Sequence, residues 1–333
     1  MVSIQPVHNY DTDVLIIGGG PGGSTLAAHL ARAGVRVLLV EREVFPRDKV
    51  CGDAVSPVAL QEMQLLDITG VEGFERSNEI KHAGLYFKGE KITVIDLPKG
   101  NTDYHTHVIP RLTLDNWVFE MAVQCGAAVL QNASLVKYTV TENAVYADVK
   151  QGGAEKRLKA RIIVGADGSN STVARQMHGA KPTDYERLIA VRSYWEGIHG
   201  PADTCEIHFM EDNFPGLYWV FPTGPHTANI GLGMVARTYP KNETHVKELL
   251  INQIGANPGL IQRIGKGTMN GKVLGWPLTM YNPKSPVVSD RVLLIGDAAG
   301  LINSLSGDGI QYAMLSGRWA AQPRKREGRP IQP

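Results

Sequence analysis

Three glycines near the start of the chain have a spacing that suits the binding of a pyrophosphate. Gly18, Gly20 and Gly23 follow a short apolar run. In this pattern the first glycine makes a tight turn, the second lets the backbone approach the phosphates, and the third allows a helix to pack closely on a strand. Glu41 ends the next apolar run, where an acid binds both hydroxyls of a ribose and repels a 2′-phosphate. The segment therefore predicts a site for FAD or NAD rather than NADP.

A second group of residues suited to chemistry lies near the end of the chain. Asp297 follows an apolar run and suits the hydroxyls of a sugar or ribitol chain. A loop that contains Gly307 and Gly309 then opens a helix near Ile310. Free N–H groups at a helix start favour negative charge, which a reduced flavin carries at its N1 and C2 carbonyl. This loop offers a flavin a place that NAD does not require, and it tips the choice to FAD.

A third apolar run ends in the turn Gly165-Ala166-Asp167-Gly168. Ser169, Asn170 and Ser171 follow and are well placed to cap a helix that carries Arg175. An ordinary strand-turn-helix has the same pattern. This segment alone leaves its function open.

Cys51 and Arg111 stand outside these turns. Cys51 lies in a polar segment broken by Pro46 and Pro57, where it is either a small buried side chain or a chemical group beside the cofactor. Arg111 stands at the entrance of a predicted helix. There it is either an exposed charge near the helix cap or a ligand for a phosphate or a flavin edge.

The elements that must position these groups follow from hydrophobic periodicity. Apolar runs at Val14–Ile17 and Val35–Val40 flank a helical pattern, which is typical of a β-α-β unit in a covered parallel sheet. After Leu188 this rhythm stops, and alternating segments predict a mostly antiparallel sheet. The predicted fold class is α/β with an α+β second domain: a Rossmann-like FAD-binding domain into which an antiparallel substrate domain is inserted.

The domain boundaries follow from the same division. The FAD-binding domain is predicted to be discontinuous, with residues 1–79, 103–187 and 285–321, and the substrate domain to contain residues 80–102 and 188–284. Residues 322–333 have charge and proline without apolar periodicity, which predicts a disordered tail.

One predicted strand of the substrate domain is rich in aromatic residues. Alternation along a strand places Trp219 and Phe221 on one face and Tyr218 on the other, just before Pro222. These residues form either an ordinary packed core or an apolar wall for a substrate.

Composition bounds the remaining possibilities. The chain has 333 residues, of which 43% are hydrophobic, and a net charge of +1, which disfavours nucleic acid as a partner. Three cysteines without a CxxC pair, and His105 and His107 without further ligands, favour no metal site and a reducing compartment. No apolar run reaches the roughly 18 residues of a membrane span. We expect a cytoplasmic protein, with peripheral attachment to a membrane left open, and the sequence also leaves its oligomeric state open.

Taken together and in order, the three turns resemble the three flavin fingerprints of the FAD-dependent hydroxylase-like flavoproteins, which have the p-hydroxybenzoate hydroxylase fold. The segments FPRDKVCGDAVSP, PGLYWVFPTG and TANIGLGM narrow the resemblance to the geranylgeranyl reductase family. Members of that family saturate isoprenoid double bonds in lipids, chlorophyll precursors or quinone tails. The resemblance covers about residues 11–321.

The resemblance implies roles for individual positions. Glu41 would bind the adenosine ribose, Gly22 and its neighbours the pyrophosphate, and Arg111 the flavin diphosphate region. Asp297 would bind the ribitol, and Gly309 with Ile310 the isoalloxazine edge. The implied FAD-binding set is Gly18, Gly20, Gly22, Gly23, Glu41, Cys51, Gly52, Arg111, Asp167, Gly168, Asp297, Gly307, Gly309 and Ile310.

The family's Tyr-x-Trp-x-Phe-Pro strand implies an isoprenoid substrate, a small hydrophobic molecule, and the substrate residues Tyr218, Trp219, Phe221 and Pro222. Two positions depart from the family pattern: its first tyrosine falls on Leu217, and Asp308 replaces a usual glutamate. Relatives continue with helical sequence where this chain has QPRKREGRPIQP, which predicts that part of the substrate enclosure is missing.

The resemblance also implies a reaction. Reduced FAD would give a hydride to one carbon of a double bond, and the Cys51 thiol, protonated at neutral pH with an ordinary pKa near 8.5, would give the proton. NADPH and ferredoxin stay open as the electron donor. The alternatives are an FAD-dependent aromatic monooxygenase and a truncated FAD-binding protein without activity. A halogenase is disfavoured because the Trp-x-Trp-x-Ile-Pro segment of that branch is absent.

Overall fold

The computed structural model of the protein describes residues 10–209, 216–238, 246–304 and 306–322. Within these ranges the chain forms seven α-helices: α1 (Pro21–Arg32), α2 (Pro57–Leu65), α3 (Arg111–Gln124), α4 (Thr172–His178), α5 (Val246–Ala256), α6 (Pro258–Ile264) and α7 (Ile310–Ala321). The same ranges contain eighteen strands: β1 (Thr12–Ile17), β2 (Val37–Val40), β3 (Ala54–Val55), β4 (Asn78–Ile80), β5 (His82–Phe87), β6 (Glu90–Asp96), β7 (Thr106–Val108), β8 (Ala128–Leu130), β9 (Ala133–Val140), β10 (Val145–Gln151), β11 (Ala154–Gly165), β12 (Arg187–Glu196), β13 (Thr204–Phe209), β14 (Gly216–Gly224), β15 (Thr227–Val235), β16 (Thr268–Thr279), β17 (Val288–Ser289) and β18 (Val292–Leu294).

The first sheet has the strand order β17-β18-β11-β1-β2-β8, and β10 and β9 continue it from the first half of β11. Strands β18, β11, β1, β2 and β8 are parallel to one another. Ile16 and Leu39 are fully buried on the face that α1, α3 and α7 cover, whereas Leu15 is fully buried on the other face, in a core shared with β9, β10 and α4. The predicted covered parallel sheet is confirmed.

Helix α1 connects β1 and β2 and packs between α3 and α7. It begins at Pro21, where the missing N–H of proline has no intrahelical partner to lose. The chain leaves the helix through Gly34, which has a φ of +78°. The second strand begins at Val37 rather than at the predicted Val35, because the N–H of Val35 still bonds the carbonyl of Leu30 at the helix end.

The second sheet has the order β16-β12-β15-β14-β13-β5-β6, and all its pairs are antiparallel except β13 with β5. Helices α5 and α6 cover one face, with a core that includes Tyr218, Val220, Leu232, Leu250 and Leu260. Strands β5 and β6 form a hairpin, and Lys88 and Gly89 in its two-residue turn both have positive φ, as a type I′ turn requires.

A small third sheet, with the order β3-β7-β4, lies between the two larger ones. The predicted fold class is confirmed, and the strands of the second sheet lie within residues 82–96 and 187–279. The domain boundaries stay a prediction, and residues 323–333 of the predicted tail lie outside the described ranges. Among the helices of those ranges, none is long and apolar enough to cross a membrane.

Candidate functional site at the carboxyl ends of the parallel strands

The predicted flavin motifs meet at one edge of the first sheet. The glycine turn follows β1, Glu41 follows β2, the turn with Asp167 follows β11, and Asp297 follows β18. These four strands are adjacent and parallel, so their carboxyl ends lie side by side. Ligands of open parallel sheets bind in the crevice at these ends. The topology therefore gathers residues from four separate parts of the sequence into one cleft.

The turn after β1 has no room for side chains. Gly18 has a φ of +105°, and a β-carbon there would lie 2.3 Å from the carbonyl oxygen of Ala166. A β-carbon at Gly23 would lie 1.9 Å from the carbonyl oxygen of Gly18. Gly20 instead faces the guanidinium of Arg47, at 3.6 Å from the position of its absent β-carbon. The loop thus exposes backbone beside a cation, which is the arrangement that a pyrophosphate needs.

Glu41 lies against this loop. It is 6% exposed, and its carboxylate accepts hydrogen bonds from the N–H of Gly19 at 2.7 Å and of Glu43 at 2.9 Å. A carboxylate has further lone pairs after these two bonds and can still accept from hydroxyl groups. This position fits the predicted contact with an adenosine ribose.

Gly22 lies where helix α1 meets helix α7. A β-carbon at Gly22 would lie 3.0 Å from the carbonyl oxygen of Ala313, and one at Gly317 would lie 2.5 Å from the carbonyl oxygen of Gly22. The missing side chains therefore let α1 and α7 approach each other. The packing of these helices is one reason for a glycine at position 22, and its contact with the pyrophosphate stays a prediction.

Asp167 caps a helix. Its carboxylate accepts hydrogen bonds from the N–H of Thr172 at 2.6 Å, from the N–H of Val173 at 3.3 Å and from the hydroxyl of Ser171. Ser171 in turn caps α4 through the N–H of Ala174, as predicted. Gly168 makes the turn between them with a φ of +75°. The second motif therefore fixes the start of α4 at the edge of the cleft.

Asp297 joins the second and third motifs. Its Oδ2 accepts a hydrogen bond from the hydroxyl of Ser169 at 3.2 Å. Its Oδ1 lies 3.1 Å from the position that a β-carbon would take at Gly309. Asp297 thus reaches the start of α7, where Ile310 is buried in the core and Gly307 makes an exposed turn with a φ of +71°.

Asp308, in the same loop, accepts hydrogen bonds from the N–H groups of Ile310 and Gln311. Burial raises the pKa of its carboxyl to about 6. The Asp308 side chain therefore occupies two N–H groups at the start of α7, where the sequence predicts the contact with the flavin edge. The Asp308 side chain is therefore neutral below about pH 6 and negatively charged above it, next to this part of the cleft.

Arg111 is buried, and the alternative of an exposed cap charge is wrong. Its guanidinium makes two hydrogen bonds with Asp115, at 2.5 and 2.7 Å, and also bonds the side chain of Cys51. Arg47 makes a second ion pair with Asp115. Burial opposes the ionisation of Asp115, but the two guanidiniums outweigh it and hold the pKa of the carboxyl below its ordinary value. Arg47, rather than Arg111, is the cation that faces the glycine loop.

Cys51 is half-buried on the loop that follows Arg47. Burial raises the pKa of its thiol above the ordinary value, and the nearby Arg111 opposes that rise without cancelling it. The thiol is therefore protonated at neutral pH. Lys49, two residues earlier, lies 4.0 Å from the centroid of the Trp276 ring, and burial lowers the pKa of its ammonium to about 8.

The aromatic strand β14 turns one face toward the Cys51 loop. A β-carbon at Gly52 would lie 3.0 Å from the Phe221 ring and 3.5 Å from Nε1 of Trp219. Gly52 therefore contacts the aromatic strand. Trp219 is 7% exposed and Phe221 is half-buried, so Phe221 supplies most of the open apolar surface of this face.

Tyr218 and Pro222 lie on the opposite face of β14 from Trp219 and Phe221, and their contact with a substrate stays a prediction. Tyr218 is fully buried in the core under α5 and α6, as the two-residue period of a strand requires. Pro222 is buried on the same side of the alternation, and its carbonyl accepts a hydrogen bond from Asn78 at 2.8 Å.

The sequence reasoning missed four polar residues that surround the Cys51 loop: Arg47, Asp53, Tyr194 and Asn229. Asp53 is fully buried, and it accepts hydrogen bonds from the hydroxyl of Tyr194 at 2.6 Å and from the amide of Asn229 at 2.8 Å. The segment TANIGLGM held a signal for Asn229, because period two places a polar residue there on the same face as Gly231. The contact with a loop 176 residues away carried no such signal.

His107, in the small third sheet, is buried next to Ser77 and Phe74. It is 6% exposed, and its Nδ1 pairs with the hydroxyl of Ser77 at 2.7 Å. Its ring stacks on Phe74, with 5.2 Å between centroids. In the part of the chain that the structure describes, no three potential metal ligands come together.

The fold and the cleft define a dinucleotide-binding flavoprotein, and residues 11–248 match the family described as FAD binding domain. The glycine loop beside Arg47, Glu41 and Asp297 fit FAD. The chain belongs to the geranylgeranyl reductase family within these proteins, and it is an FAD-dependent oxidoreductase.

Three relatives support this placement. A menaquinone reductase of Mycobacterium tuberculosis is 30% identical, over 93% of this chain and 76% of that protein. A digeranylgeranylglycerophospholipid reductase of Thermoplasma volcanium is 30% identical, over 94% of this chain and 78% of that protein. The crystal structure of a geranylgeranyl bacteriochlorophyll reductase-like protein from Thermoplasma acidophilum superposes with a TM-score of 0.81 at 26% identity, over 93% of this chain and 77% of that one.

Proposed function

We propose that this protein reduces carbon-carbon double bonds of an isoprenoid chain and that Cys51 donates the proton. The observation that carries the proposal is a thiol that burial keeps protonated, on a loop packed against the Trp219 and Phe221 face of the second sheet. The relatives named above, a menaquinone reductase and a digeranylgeranylglycerophospholipid reductase, point to the same substrate class.

Bound FAD supplies, in its reduced state, the hydride for one carbon of the double bond. The Cys51 S–H bond breaks as the proton moves to the other carbon, and a thiolate remains. Arg111, which hydrogen-bonds this side chain, stabilises the thiolate by its positive charge. Asp115 in turn holds the guanidinium in place through two hydrogen bonds.

Phe221 and Trp219 would hold the prenyl chain by burial of apolar area, which is worth about 25 cal/mol per Å². Since Trp219 is 7% exposed, Phe221 contributes most of that contact. An apolar face with a single protonated group suits a substrate that is a hydrocarbon at its reacting carbons.

The test is anaerobic incubation of the dithionite-reduced protein with geranylgeranyl lipids, followed by mass spectrometry. The expected product is heavier by two hydrogens for each double bond reduced. Unchanged lipid, with FAD bound and reduced throughout, would reject the proposal. An FAD-binding protein without activity would also leave the lipid unchanged.

An aromatic monooxygenase on the same fold is the second candidate. Its product would contain oxygen, and oxygen consumption would be stoichiometric with product. The half-buried thiol against the aromatic strand favours the reductase, because a monooxygenase needs no proton donor for a carbon atom.

For the electron donor, a cavity beside the second motif favours NADPH over ferredoxin. The cavity has a volume of about 400 Å³, and four basic side chains line it: Arg175, His178, Lys181 and Arg187. Its acids are Asp297 and Glu186, and the Glu186 carboxylate is already bonded to Thr183 and Asn282. The Nε of Arg187 is buried without a hydrogen-bond partner. Phosphate groups would complement this excess of positive charge.

Arg175→Ala should therefore raise the KM for NADPH by roughly tenfold, the loss of one charge-assisted hydrogen bond. Arg157→Ala is the matched control, because Arg157 is an exposed arginine of β11 outside the cavity. An equal KM for NADPH in both variants would reject this cavity as the NADPH site, and turnover with reduced ferredoxin but not with NADPH would favour ferredoxin.

A peripheral membrane contact would bring a prenyl substrate to the cleft. The edge strand β6 exposes Ile92 by 64% and Ile95 by 47%, beside Lys91. Ile92→Glu should reduce co-sedimentation with vesicles that contain anionic lipid. Val288→Glu, a change at another residue that is 61% exposed, should leave co-sedimentation unchanged.

A further inference from the structure

The side chain of Asn229 connects the aromatic strand to the Cys51 loop. It is fully buried, and its Nδ2 donates hydrogen bonds to the carbonyl oxygen of Cys51 at 2.7 Å and to Oδ2 of Asp53 at 2.8 Å. Its Oδ1 accepts a hydrogen bond from Nε1 of Trp219 at 2.9 Å. The indole N–H only donates and the carbonyl only accepts, so these two partners fix which way the amide points.

The loop that Asn229 holds has a strained backbone. Asp53 is not a glycine, yet it has a φ of +66°, a conformation that costs on the order of 1–3 kcal/mol. Asp53 also accepts a hydrogen bond from the hydroxyl of Tyr194 at 2.6 Å, and its own carbonyl accepts one from the N–H of Ile109. These bonds hold the loop in a conformation that it would otherwise leave.

Strand β15 has a glycine, Gly231, where the Trp219 indole packs on it. A β-carbon at Gly231 would lie 2.1 Å from Cζ2 of Trp219, so the ring lies directly on the backbone of β15. Asn229 is two residues earlier on the same face and meets the edge of that ring. Trp219, Asn229 and Gly231 therefore form one rigid surface, to which the Cys51 loop is attached by the amide.

We propose that Asn229 is a positioning residue that fixes the distance between the Cys51 thiol and the aromatic face. Its amide hydrogen-bonds the loop at the Cys51 carbonyl and the Asp53 carboxylate, and it hydrogen-bonds the aromatic face at the Trp219 indole. The proposal rests on the proposed function only for what the thiol does. The position of the thiol is measurable without any reductase assay.

Asn229→Asp tests this role because it keeps the shape of the side chain and removes both donors. Two carboxylates would then face each other in a buried place, together with Tyr194 and Arg192 from β12, Arg111 from α3 and the Cys51 thiol. Repulsion should push the loop away at pH 8. One shared proton should restore a hydrogen bond near pH 5.5, because two close carboxyl groups cannot both ionise easily.

The readout is the rate at which 4,4′-dithiodipyridine modifies Cys51, divided by the rate at which it modifies Cys125. Peptide mass spectrometry measures the two rates separately. In Asn229→Asp we expect this ratio to rise at least tenfold over the wild type at pH 8 and to return to within about twofold near pH 5.5. The matched control is Asn270→Asp, since Asn270 also donates to a carboxylate, that of Glu196 at 2.5 Å, but on an exposed edge of the same sheet. The control should keep the wild-type ratio at both pH values.

A folded Asn229→Asp protein with the wild-type ratio at pH 8 would overturn the proposal. If that variant does not fold, Trp219→Phe removes the indole N–H together with one ring of the side chain, and it should raise the ratio several-fold; an unchanged ratio there would also overturn the proposal. In an active enzyme, Asn229→Asp should lower kcat on the order of 10²-fold with the dissociation constant of FAD unchanged. A shifted ratio in a protein that reduces no lipid would leave the positioning role intact and reject the proposed function.

Discussion

The hydroxyl of Ser169 donates a hydrogen bond to the carboxylate of Asp297 at 3.2 Å, across 128 residues of sequence. This bond ties the turn after β11 to the turn after β18. Asp297 directs its other oxygen toward Gly309, at the start of α7. The second and third flavin motifs are therefore parts of one structure.

Removal of this carboxylate should weaken FAD binding. We expect Asp297→Ala to raise the dissociation constant of FAD by more than tenfold, because the ribitol hydroxyls lose an ionised acceptor worth about 1.5–3 kcal/mol. Ser169→Ala should raise it only about two- to tenfold, since it removes one neutral donor to that carboxylate. Flavin fluorescence titration measures both constants. Ser134→Ala, on the exposed side of β9, is the control, and an equal effect in all three variants would contradict the assignment.

Substitutions at Gly18 and Gly34, which both have positive φ, distinguish the cost of backbone strain from the cost of a steric clash. Gly34 has open space around its β-carbon position, so Gly34→Ala should cost only about 1–2 kcal/mol of unfolding free energy. Gly18→Ala adds an atom 2.3 Å from the Ala166 carbonyl oxygen, and it should cost considerably more and abolish FAD binding. Urea unfolding of the apoprotein and FAD titration report the two effects. Normal FAD affinity in Gly18→Ala would show that the turn after β1 does not contact the cofactor.

The thiol should matter for reduction but not for FAD binding. Cys51→Ala and Cys51→Ser should each lower the single-turnover rate of alkene reduction by about 10²- to 10⁴-fold, the usual contribution of a general acid. Bound flavin, measured by absorbance, should stay stoichiometric. Cys125→Ser controls for loss of a half-buried thiol elsewhere. A wild-type rate in Cys51→Ala would assign the proton to another group.

Lys49 should make FAD binding depend on pH. Burial lowers the pKa of its ammonium to about 8, so its positive charge is present below that pH and is lost as the pH rises through it. The ammonium interacts electrostatically with Asp297, Arg111 and Cys51, and the charge lies where the anionic cofactor is expected. The dissociation constant of FAD should therefore increase between pH 7 and 9 in the wild type. Lys49→Arg, which stays charged, should flatten this profile, whereas Lys91→Arg on the exposed strand β6 should not. A flat wild-type profile would place Lys49 away from the cofactor.

The arrangement of the flavin motifs could be predicted because it depends on strand order and direction alone. Apolar runs indicated the parallel strands, and polar turns at their carboxyl ends had to meet. The face of Trp219 and Phe221 followed from the two-residue period of a strand. The same period placed Tyr218 on the opposite face, where it is buried in the core.

The missed features depend on contacts between distant segments, which local patterns do not encode. Gly22 is a glycine because α7 passes over it, some 290 residues later. Arg47 reaches Gly20, and Asp53 reaches Asn229, only once the polar loop has folded over the sheet. The sequence left Arg111 as either an exposed charge or a ligand, because an Asp one helical turn away, such as Asp115, occurs on exposed and buried helices alike. Only the burial of both residues distinguishes the two.

The position of β18 in the first sheet has a consequence for synthesis of the protein. A nascent chain that has not yet passed residue 294 leaves Ile163 and Val164 on β11 without their partner strand. An unpaired apolar edge of this kind recruits other strands, so emerging chains should depend on chaperones until residues 292–294 are available to pair with β11. The predicted FAD contacts at Asp297 and at the start of α7 come later still. We therefore expect the cofactor to bind once the sheet is complete and then to stabilise it by mass action.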